Sequence, residues 1–135
     1  MTAKEFLKKI IKLRKAIDYR KTKIEILEAE CERITAQITG MPRGSGESVS
    51  QMESAVCRKM DLEQEIDALE QERNALIKTI DLIDDPDLSD LLTMRYVGED
   101  TWADISSDLG YTLRHVMRLH QKAITLLDEA LERCH

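Results

Sequence analysis

Apolar residues recur at alternating steps of four and three along the first forty residues of the chain. The series consists of Phe6, Ile10, Leu13, Ile17, Ile24, Leu27, Cys31, Ile34 and Ile38, with Arg20 as its single polar interruption. A heptad spacing sustained over this length predicts a long helix whose apolar seam packs against another helix. Such a chain favours an all-α fold built from long helices over a thick globular core.

A second seam follows and predicts the partner helix. It consists of Met52, Ala55, Leu62, Ile66, Leu69, Leu76, Ile80 and Ile83, with Lys59 and Arg73 at the missed positions. Residues 39–50, between the seams, are rich in Gly, Pro and Ser, which break helices and favour loops. We therefore expect residues 1–85 to form an antiparallel coiled-coil hairpin with its loop at 39–50. Each helix would be about 50 Å long at a rise of 1.5 Å per residue.

The two segments that contain the seams carry opposite net charges. Nine Lys or Arg and two acids precede residue 24, whereas residues 51–85 contain ten acids and four bases. Folding back about the loop would place the basic segment beside Asp67, Glu70, Glu72, Asp81, Asp84 and Asp85. Opposite charges beside a coiled-coil seam select partner and orientation. We interpret the basic N-terminal segment as an internal complement to these acids and not as a DNA-binding arm.

Further apolar residues, Leu7, Ile11, Ile26 and Leu82, lie off the main seams. A two-helix hairpin buries only one stripe per helix, which is thin for independent stability. A second copy would cover the widened stripe, so we expect a homodimer with a four-helix bundle across a two-fold axis. The seam can also be satisfied within one chain, which leaves the oligomeric state open.

Several classes of protein are not expected. The longest apolar stretches are too short to span a membrane, and the N-terminal segment is amphipathic and unlike a signal peptide, so we expect a cytoplasmic protein. Cys31, Cys57 and Cys134 form no Cys-x-x-Cys pair, which argues against a disulfide framework or a metal site. The sequence contains no recognisable pair of a catalytic nucleophile and a general base, and no phosphate-binding Gly loop. We therefore expect neither enzymatic activity nor a bound cofactor.

Residues 87–135 predict a small unit of three helices. Asp85-Pro86 is expected to end the second long helix, and a short helix follows through Leu88 to Tyr96. Two further helices meet at a tight turn. Thr101 would cap the first of them, Gly110 would end it in a left-handed conformation, and Thr112 would cap the last helix. Ser106 offers the small side chain that a close helix crossing requires.

The pattern of the last two helices is that of a helix-turn-helix. Ile105 and Leu109 form one inward face, and Val116, Leu119 and Ala123 form the other. The residues left outward on the last helix are Arg114, Arg118, Gln121 and Lys122. No acid occurs between Gly110 and Ile124. This predicts a surface that enters the DNA major groove, although an ordinary helical hairpin with a solvated basic face has the same pattern.

The motifs of this segment resemble a known domain. They are Leu91-Leu92-x-x-Arg95-Tyr96, Thr101-Trp102-x-x-Ile105, Leu109-Gly110-Tyr111-Thr112 and Val116-x-x-Leu119-x-x-x-Ala123. Together they resemble region 4 of bacterial sigma-70-type factors, which binds the −35 promoter element. With the Lys-rich first helix, the polar loop and Ser50-x-Met52-Glu53-Ser54-Ala55-Val56, the chain resembles the phage autolysin-regulator (ArpU-like) transcriptional regulators. This resemblance implies a protein of phages or prophages of Gram-positive bacteria that acts on late packaging and lysis genes.

The resemblance also implies which residues face DNA. They are Thr112, Leu113, Arg114, Met117, Arg118 and Gln121, to which the outward pattern adds Lys122. Sigma factors commonly have Arg where Leu113 stands and Glu where Arg114 stands, so the −35 sequence is not expected to be the site bound. Nothing in the chain resembles the sigma region that melts the −10 element. We therefore expect an activator beside host RNA polymerase or an operator-binding regulator.

Two other functions are compatible with the same residues. A phage small-terminase-like DNA-packaging protein also joins a helix-turn-helix to helical oligomerisation elements, and it would form a ring. In a non-DNA adaptor, the three-helix unit would bind RNA polymerase or another protein. Leu113 and Met117 would then matter more than Arg114 and Arg118.

Overall fold

The structure, a computed structural model, describes the backbone of residues 1–40 and 46–133 and the side chains of residues 1–37 and 49–133. Over these residues the chain is all-α and contains no strand, which confirms the predicted fold class. The helices are α1 (Ala3–Gly40), α2 (Gly46–Ile80), α3 (Pro86–Leu92), α4 (Trp102–Leu109) and α5 (Leu113–Arg133), and a π-helical turn at Thr93–Val97 continues α3. No helix in this part of the chain is long and apolar enough to cross a membrane.

The chain divides into two compact units. The hairpin unit comprises residues 15–71, and the terminal unit comprises residues 1–14 together with residues 72–135. The expected division into residues 1–85 and 87–135 differs from this one, because the first turns of α1 and the last turns of α2 pack with the short helices. Each unit is described separately below.

Ion pairs across the hairpin unit show that α1 and α2 are antiparallel. Arg20 Nε lies 2.8 Å from Glu65 Oε2, and further along α1 Glu28 Oε1 lies 3.1 Å from Lys59 Nζ. The position on α2 thus decreases as the position on α1 increases. Every seam residue that the structure describes in this unit is buried or half-buried, and Ile38 lies outside the described side chains.

The predicted charge complement is confirmed for two acids. Lys9 Nζ lies 3.0 Å from Glu72 Oε1, and Lys21 Nζ lies 3.8 Å from Glu70 Oε1. All four side chains are substantially exposed, so these pairs favour one register and add little stability. Asp85, which was also expected to face the basic segment, instead caps α3.

The loop between the long helices is shorter than expected. A loop at 39–50 was predicted from composition, but α1 continues to Gly40 and α2 begins at Gly46. Residues 41–45 lie outside the described residues. Glycine costs a helix only about 1 kcal/mol per residue, and cooperative extension from two long, packed helices outweighs that preference.

The second long helix ends earlier than the Asp85-Pro86 step suggested. α2 ends at Ile80, and three hydrogen bonds of 3.1–3.2 Å, each spanning three residues, turn the chain beyond it. Ser89 Oγ donates a hydrogen bond of 3.4 Å to the Ile80 carbonyl. Asp85 then starts α3, since its carboxylate accepts hydrogen bonds from two N–H groups of the first turn. The residue before a proline marks only the last position a helix can reach.

The core of the terminal unit joins the first turns of α1 to α5. Its buried members are Ala3, Phe6, Leu7, Ile10, Ile80, Ile83, Leu88, Leu92, Ala123, Ile124, Leu127 and Leu131. The Ala3 N–H also donates a hydrogen bond of 2.6 Å to Asp128 Oδ1 on α5. Leu7 is 1% exposed, so its expected role as a surface for a second copy is wrong. Another part of the same chain covers it.

We predict that Leu7→Ala lowers the free energy of unfolding by about 2–5 kcal/mol, because it removes a fully buried side chain from this core. Leu82→Ala is the matched control, since Leu82 belongs to the same unit and is 54% exposed. The control should change stability by less than about 0.5 kcal/mol. Urea denaturation followed by circular dichroism measures both values. Equal small effects would show that Leu7 is not buried in this core.

Candidate nucleic-acid interface

Thr101 starts α4 as predicted. Its backbone is extended, and its Oγ1 accepts a hydrogen bond of 3.1 Å from the Asp104 N–H. Its carbonyl accepts the first helical hydrogen bond, 3.0 Å from the Ile105 N–H. This geometry satisfies an otherwise unpaired donor at the helix start, so the predicted cap is confirmed.

The turn after α4 depends on Gly110. Its φ of 72° and ψ of 25° are left-handed, the conformation that glycine adopts without a Cβ penalty. The N–H groups of Gly110 and Tyr111 both donate to the Ser106 carbonyl, at 3.0 and 3.1 Å. The Ser106 hydroxyl in turn donates to the Tyr111 carbonyl. Ser106 was expected only to provide space, but its hydroxyl closes the turn by hydrogen bonding.

Thr112 starts α5 in the way that Thr101 starts α4. Its Oγ1 accepts a hydrogen bond of 3.2 Å from the His115 N–H, and its carbonyl accepts one of 3.0 Å from the Val116 N–H. Only residues 110–112 separate the two helices. Because both ends of this connection are capped, the direction in which α5 leaves α4 is well defined.

The inward faces of the two helices form a small core of their own. Ile105 and Val116 are fully buried there with Leu91 of α3. The half-buried side chains around them are Met94, Trp102, Leu109 and Leu119. The predicted inward residues of the helix-turn-helix are therefore on the inside, and the opposite side of α5 is left outward.

All seven residues predicted to face DNA are exposed in the structure. They form what we call the outer face of α5, together with its cap: Thr112, Leu113, Arg114, Met117, Arg118, Gln121 and Lys122. Two of them are apolar, with Leu113 52% and Met117 45% exposed. Residues three and four apart lie on the same side of a helix, so the seven side chains form one continuous surface over about two and a half turns.

The outer face is positively charged. Arg114, Arg118 and Lys122 recur every four residues along it, and none of the three forms an ion pair with an acid in the described part of the chain. Their charges are therefore available to a ligand. An array of unpaired cations on an acidic protein is suited to an anionic surface such as the DNA backbone.

A polar aromatic cluster holds α5 against the preceding helices, and the sequence pattern did not reveal it. The Arg95 guanidinium lies 4.4 Å from the centre of the Trp102 ring, and the Trp102 and His120 rings meet edge to face at 4.8 Å. Tyr96 Oη lies 2.8 Å from His120 Nε2. Arg95 and Tyr96 entered the sequence analysis only as part of the motif Leu91-Leu92-x-x-Arg95-Tyr96. Their position next to each other was the one sequence signal that could have indicated the cluster.

The surroundings of His120 favour its neutral form. Burial lowers the pKa of its imidazole below the usual 6.5, and the positive charges of Arg95 and Lys4 lower it further. A neutral imidazole with its proton on Nδ1 can accept a hydrogen bond from the Tyr96 hydroxyl at Nε2, whereas in the imidazolium both nitrogens are donors. Protonation therefore reverses the direction of this hydrogen bond, with Nε2–H donating to the Tyr96 hydroxyl oxygen, and adds a charge beside Arg95.

We predict that the melting temperature falls as the pH is lowered from 8 to 5.5. Below pH 6.5 the unfolded chain binds a proton that the folded chain does not, so stability decreases until His120 itself is protonated. The variant His120→Gln should show a smaller decrease, measured by circular dichroism melting over this range. His115→Gln, which changes the other imidazole of α5, should behave as the wild type. Parallel curves for the wild type and His120→Gln would contradict the assignment.

No family model, curated protein or solved structure matches the chain. Among the described residues, no group of three or more His, Cys, Asp or Glu side chains is arranged to hold a metal ion. The assignment of the outer face to a ligand consequently rests on its own geometry and charge.

Proposed function

We propose that this protein is a sequence-specific DNA-binding transcriptional regulator, and that the outer face of α5 enters the major groove. The supporting observation is the capped turn at Gly110, which presents an exposed, unpaired row of cations at the start of a helix that is buried on its other side. In helix-turn-helix proteins the first turns of the second helix contact base edges. The exposed residues occupy those turns.

The side chains of the outer face suit different parts of DNA. Arg114 and Arg118, one turn apart, can each form a bidentate contact with guanine, worth about 1–3 kcal/mol of discrimination between bases. Gln121 can contact adenine. Lys122 and the N–H groups at the Thr112 cap bind phosphates, which position the helix without specifying the sequence.

The biological setting that we propose comes from the resemblance to sigma region 4 and to the autolysin regulators. The protein would act in the cytoplasm of a bacterial host on late phage or prophage genes, beside host RNA polymerase. One three-helix unit offers about three or four phosphate contacts. The logarithm of its binding constant should therefore fall with the logarithm of the salt concentration, at a slope of about −0.9 per contact. The two three-helix units of a homodimer would bind half-sites one or more helical turns apart, with much higher avidity than a single unit.

We predict that the double variant Arg114→Ala and Arg118→Ala loses specific DNA binding and keeps its fold. Removing two bidentate contacts, each worth about 1–3 kcal/mol, should weaken binding to a specific site by at least about thirtyfold. Fluorescence anisotropy measures the affinity, and circular dichroism checks the fold. Lys8→Ala with Lys12→Ala is the matched control, because it removes the same charge at the same spacing from an exposed part of α1. Equal affinities of the two double variants would contradict the proposal.

A second function, an adaptor that binds RNA polymerase or another protein, is favoured by one observation. Leu113 and Met117 are large apolar side chains exposed on the outer face, and exposed apolar residues commonly mark protein contacts. In a DNA complex the same side chains would instead lie against the C5 methyl groups of thymine.

Replacing thymine by deoxyuracil in the bound site separates these two functions, because it removes only the methyl group. We predict a loss of about fourfold in affinity for each methyl contacted, since burial of one methyl contributes about 0.8 kcal/mol. The variant Met117→Gln should lose less on the same replacement. If wild-type affinity does not depend on thymine methyl groups, Leu113 and Met117 do not contact DNA, and a protein partner becomes the favoured ligand for them.

A further inference from the structure

One side of the hairpin unit is a shallow groove in which charged residues flank apolar ones. From α1 it is lined by Lys23, Ile26, Leu27 and Glu30. Ile26 is 61% exposed, although it lies at the centre of this set. Neither Lys23 nor Glu30 forms an ion pair within the described part of the chain, and the Lys23 ammonium lies over the Tyr19 ring at 4.5 Å.

The α2 side of the groove repeats the same arrangement. It is lined by Arg58, Asp61, Leu62 and Glu65. Each helix thus presents a base and an acid seven residues apart, about 10 Å along the helix. Ile26 and Leu27 lie between them on α1, and Leu62 lies between them beside Asp61 on α2. Such a pattern is complementary to itself when it is turned end over end.

The centres of the two patterns lie at nearly the same level of the hairpin. The centre on α1 falls between Ile26 and Leu27, and the centre on α2 falls beside Leu62. The cross-hairpin ion pairs of Arg20 with Glu65 and of Glu28 with Lys59 relate the two helices. They put the two centres within about two residues of one level, roughly 3 Å. A single two-fold axis can therefore serve both helices.

We propose that a second copy of this chain docks in the groove, across a two-fold axis that runs from α1 to α2 at the level of Ile26 and Leu62. Each α1 then packs antiparallel on α1 of the second copy, and each α2 on α2. Lys23 faces Glu30 of the second copy, Arg58 faces Glu65, and Ile26 is covered at the centre. The interface is isologous, so every contact occurs twice.

Asp61 lies close to the axis, where it approaches its own equivalent. Arg58 of the second copy lies opposite Glu65, which is one helical turn from Asp61. The same guanidinium can therefore contact both carboxylates, and this compensates the approach of like charges. Glu65 also has its second oxygen available, because Arg20 contacts Oε2.

The opposite side of the hairpin unit is not complementary to itself. It exposes Val56 and Met60, the latter by 55%. Its charged residues are Glu28, Glu32, Lys59 and Glu63. The lysine pairs with Glu28 at 3.1 Å and with Glu63 at 4.0 Å. Three acids and one base leave each copy with a net charge of −2 on this side, so two apposed copies would repel each other. Charge complementarity favours the Ile26 side.

This interface rests on the homodimer of the proposed function and specifies the surface that forms it. The experiments below measure molecular mass and not DNA binding. A negative result would remove the interface and leave the proposed contact between α5 and DNA untouched.

Charge reversal tests the predicted pairing. By sedimentation velocity of the full chain, the wild type should be a dimer at micromolar concentration. Lys23→Glu or Glu30→Lys alone should raise the dissociation constant of the dimer by about tenfold or more, because each creates two like-charged contacts and removes two ion pairs. The double variant should restore the wild-type value. A monomeric wild type, a ring of many subunits, or no rescue in the double variant would overturn the proposal.

A second pair of variants identifies the side used. Ile26→Asp should give a monomer, because it places two carboxylates at the centre of the interface. Met60→Asp, at an equally exposed apolar residue on the opposite side, should remain a dimer. Circular dichroism should show unchanged helix content in both, since neither side chain is buried in the hairpin. Dissociation by Met60→Asp and not by Ile26→Asp would assign the interface to the other side and contradict the proposal.

Discussion

The second half of α5 is buried in a core that also contains the first turns of α1 and the end of α2, and this packing determines where the first half of α5 stands. Ile124, Leu127 and Leu131 lie there with Phe6 and Ile10. Burial of each such side chain stabilises the fold by about 1.5–3 kcal/mol. Because α5 is one uninterrupted helix of 21 residues, fixing its C-terminal half also fixes its exposed N-terminal half. The turn before α5, the small core of Ile105 and Val116, and the aromatic cluster add support to the N-terminal half.

The local signals of the sequence were sufficient for the helix-turn-helix. Thr101 and Thr112 cap their helices and Gly110 is left-handed, as their side chains and spacing predicted. The outward residues of α5 followed from the helical period alone, because the inward positions are apolar and no acid interrupts the basic ones. The heptad seams predicted the antiparallel hairpin for a similar reason, since a repeated period over long helices outweighs single exceptions such as Arg20.

Features that depend on a third helix could not be predicted in this way. Leu7 lies off the seam between two helices, so the pattern assigned it to an external surface, but it is buried in a core to which α3 and α5 also contribute. The contact of Arg95 with Trp102 joins residues on either side of a non-helical turn, and the contact of Tyr96 with His120 joins residues 24 positions apart, so helical periodicity relates neither pair. The end of α2 at Ile80 depends on the hydrogen bond from Ser89 and on the turn that follows. The proline six residues later sets only the last position that α2 could have reached.

If the outer face of α5 recognises a DNA sequence, this 135-residue chain should select that sequence from a pool of random DNA. We expect one motif to be enriched and to contain guanines at the positions contacted by Arg114 and Arg118. A repeat within the motif would indicate that two copies of the three-helix unit bind together. Recovery of no motif by a folded, helical protein would contradict this expectation. The exposed apolar pair Leu113 and Met117 would then indicate a protein ligand for the same surface.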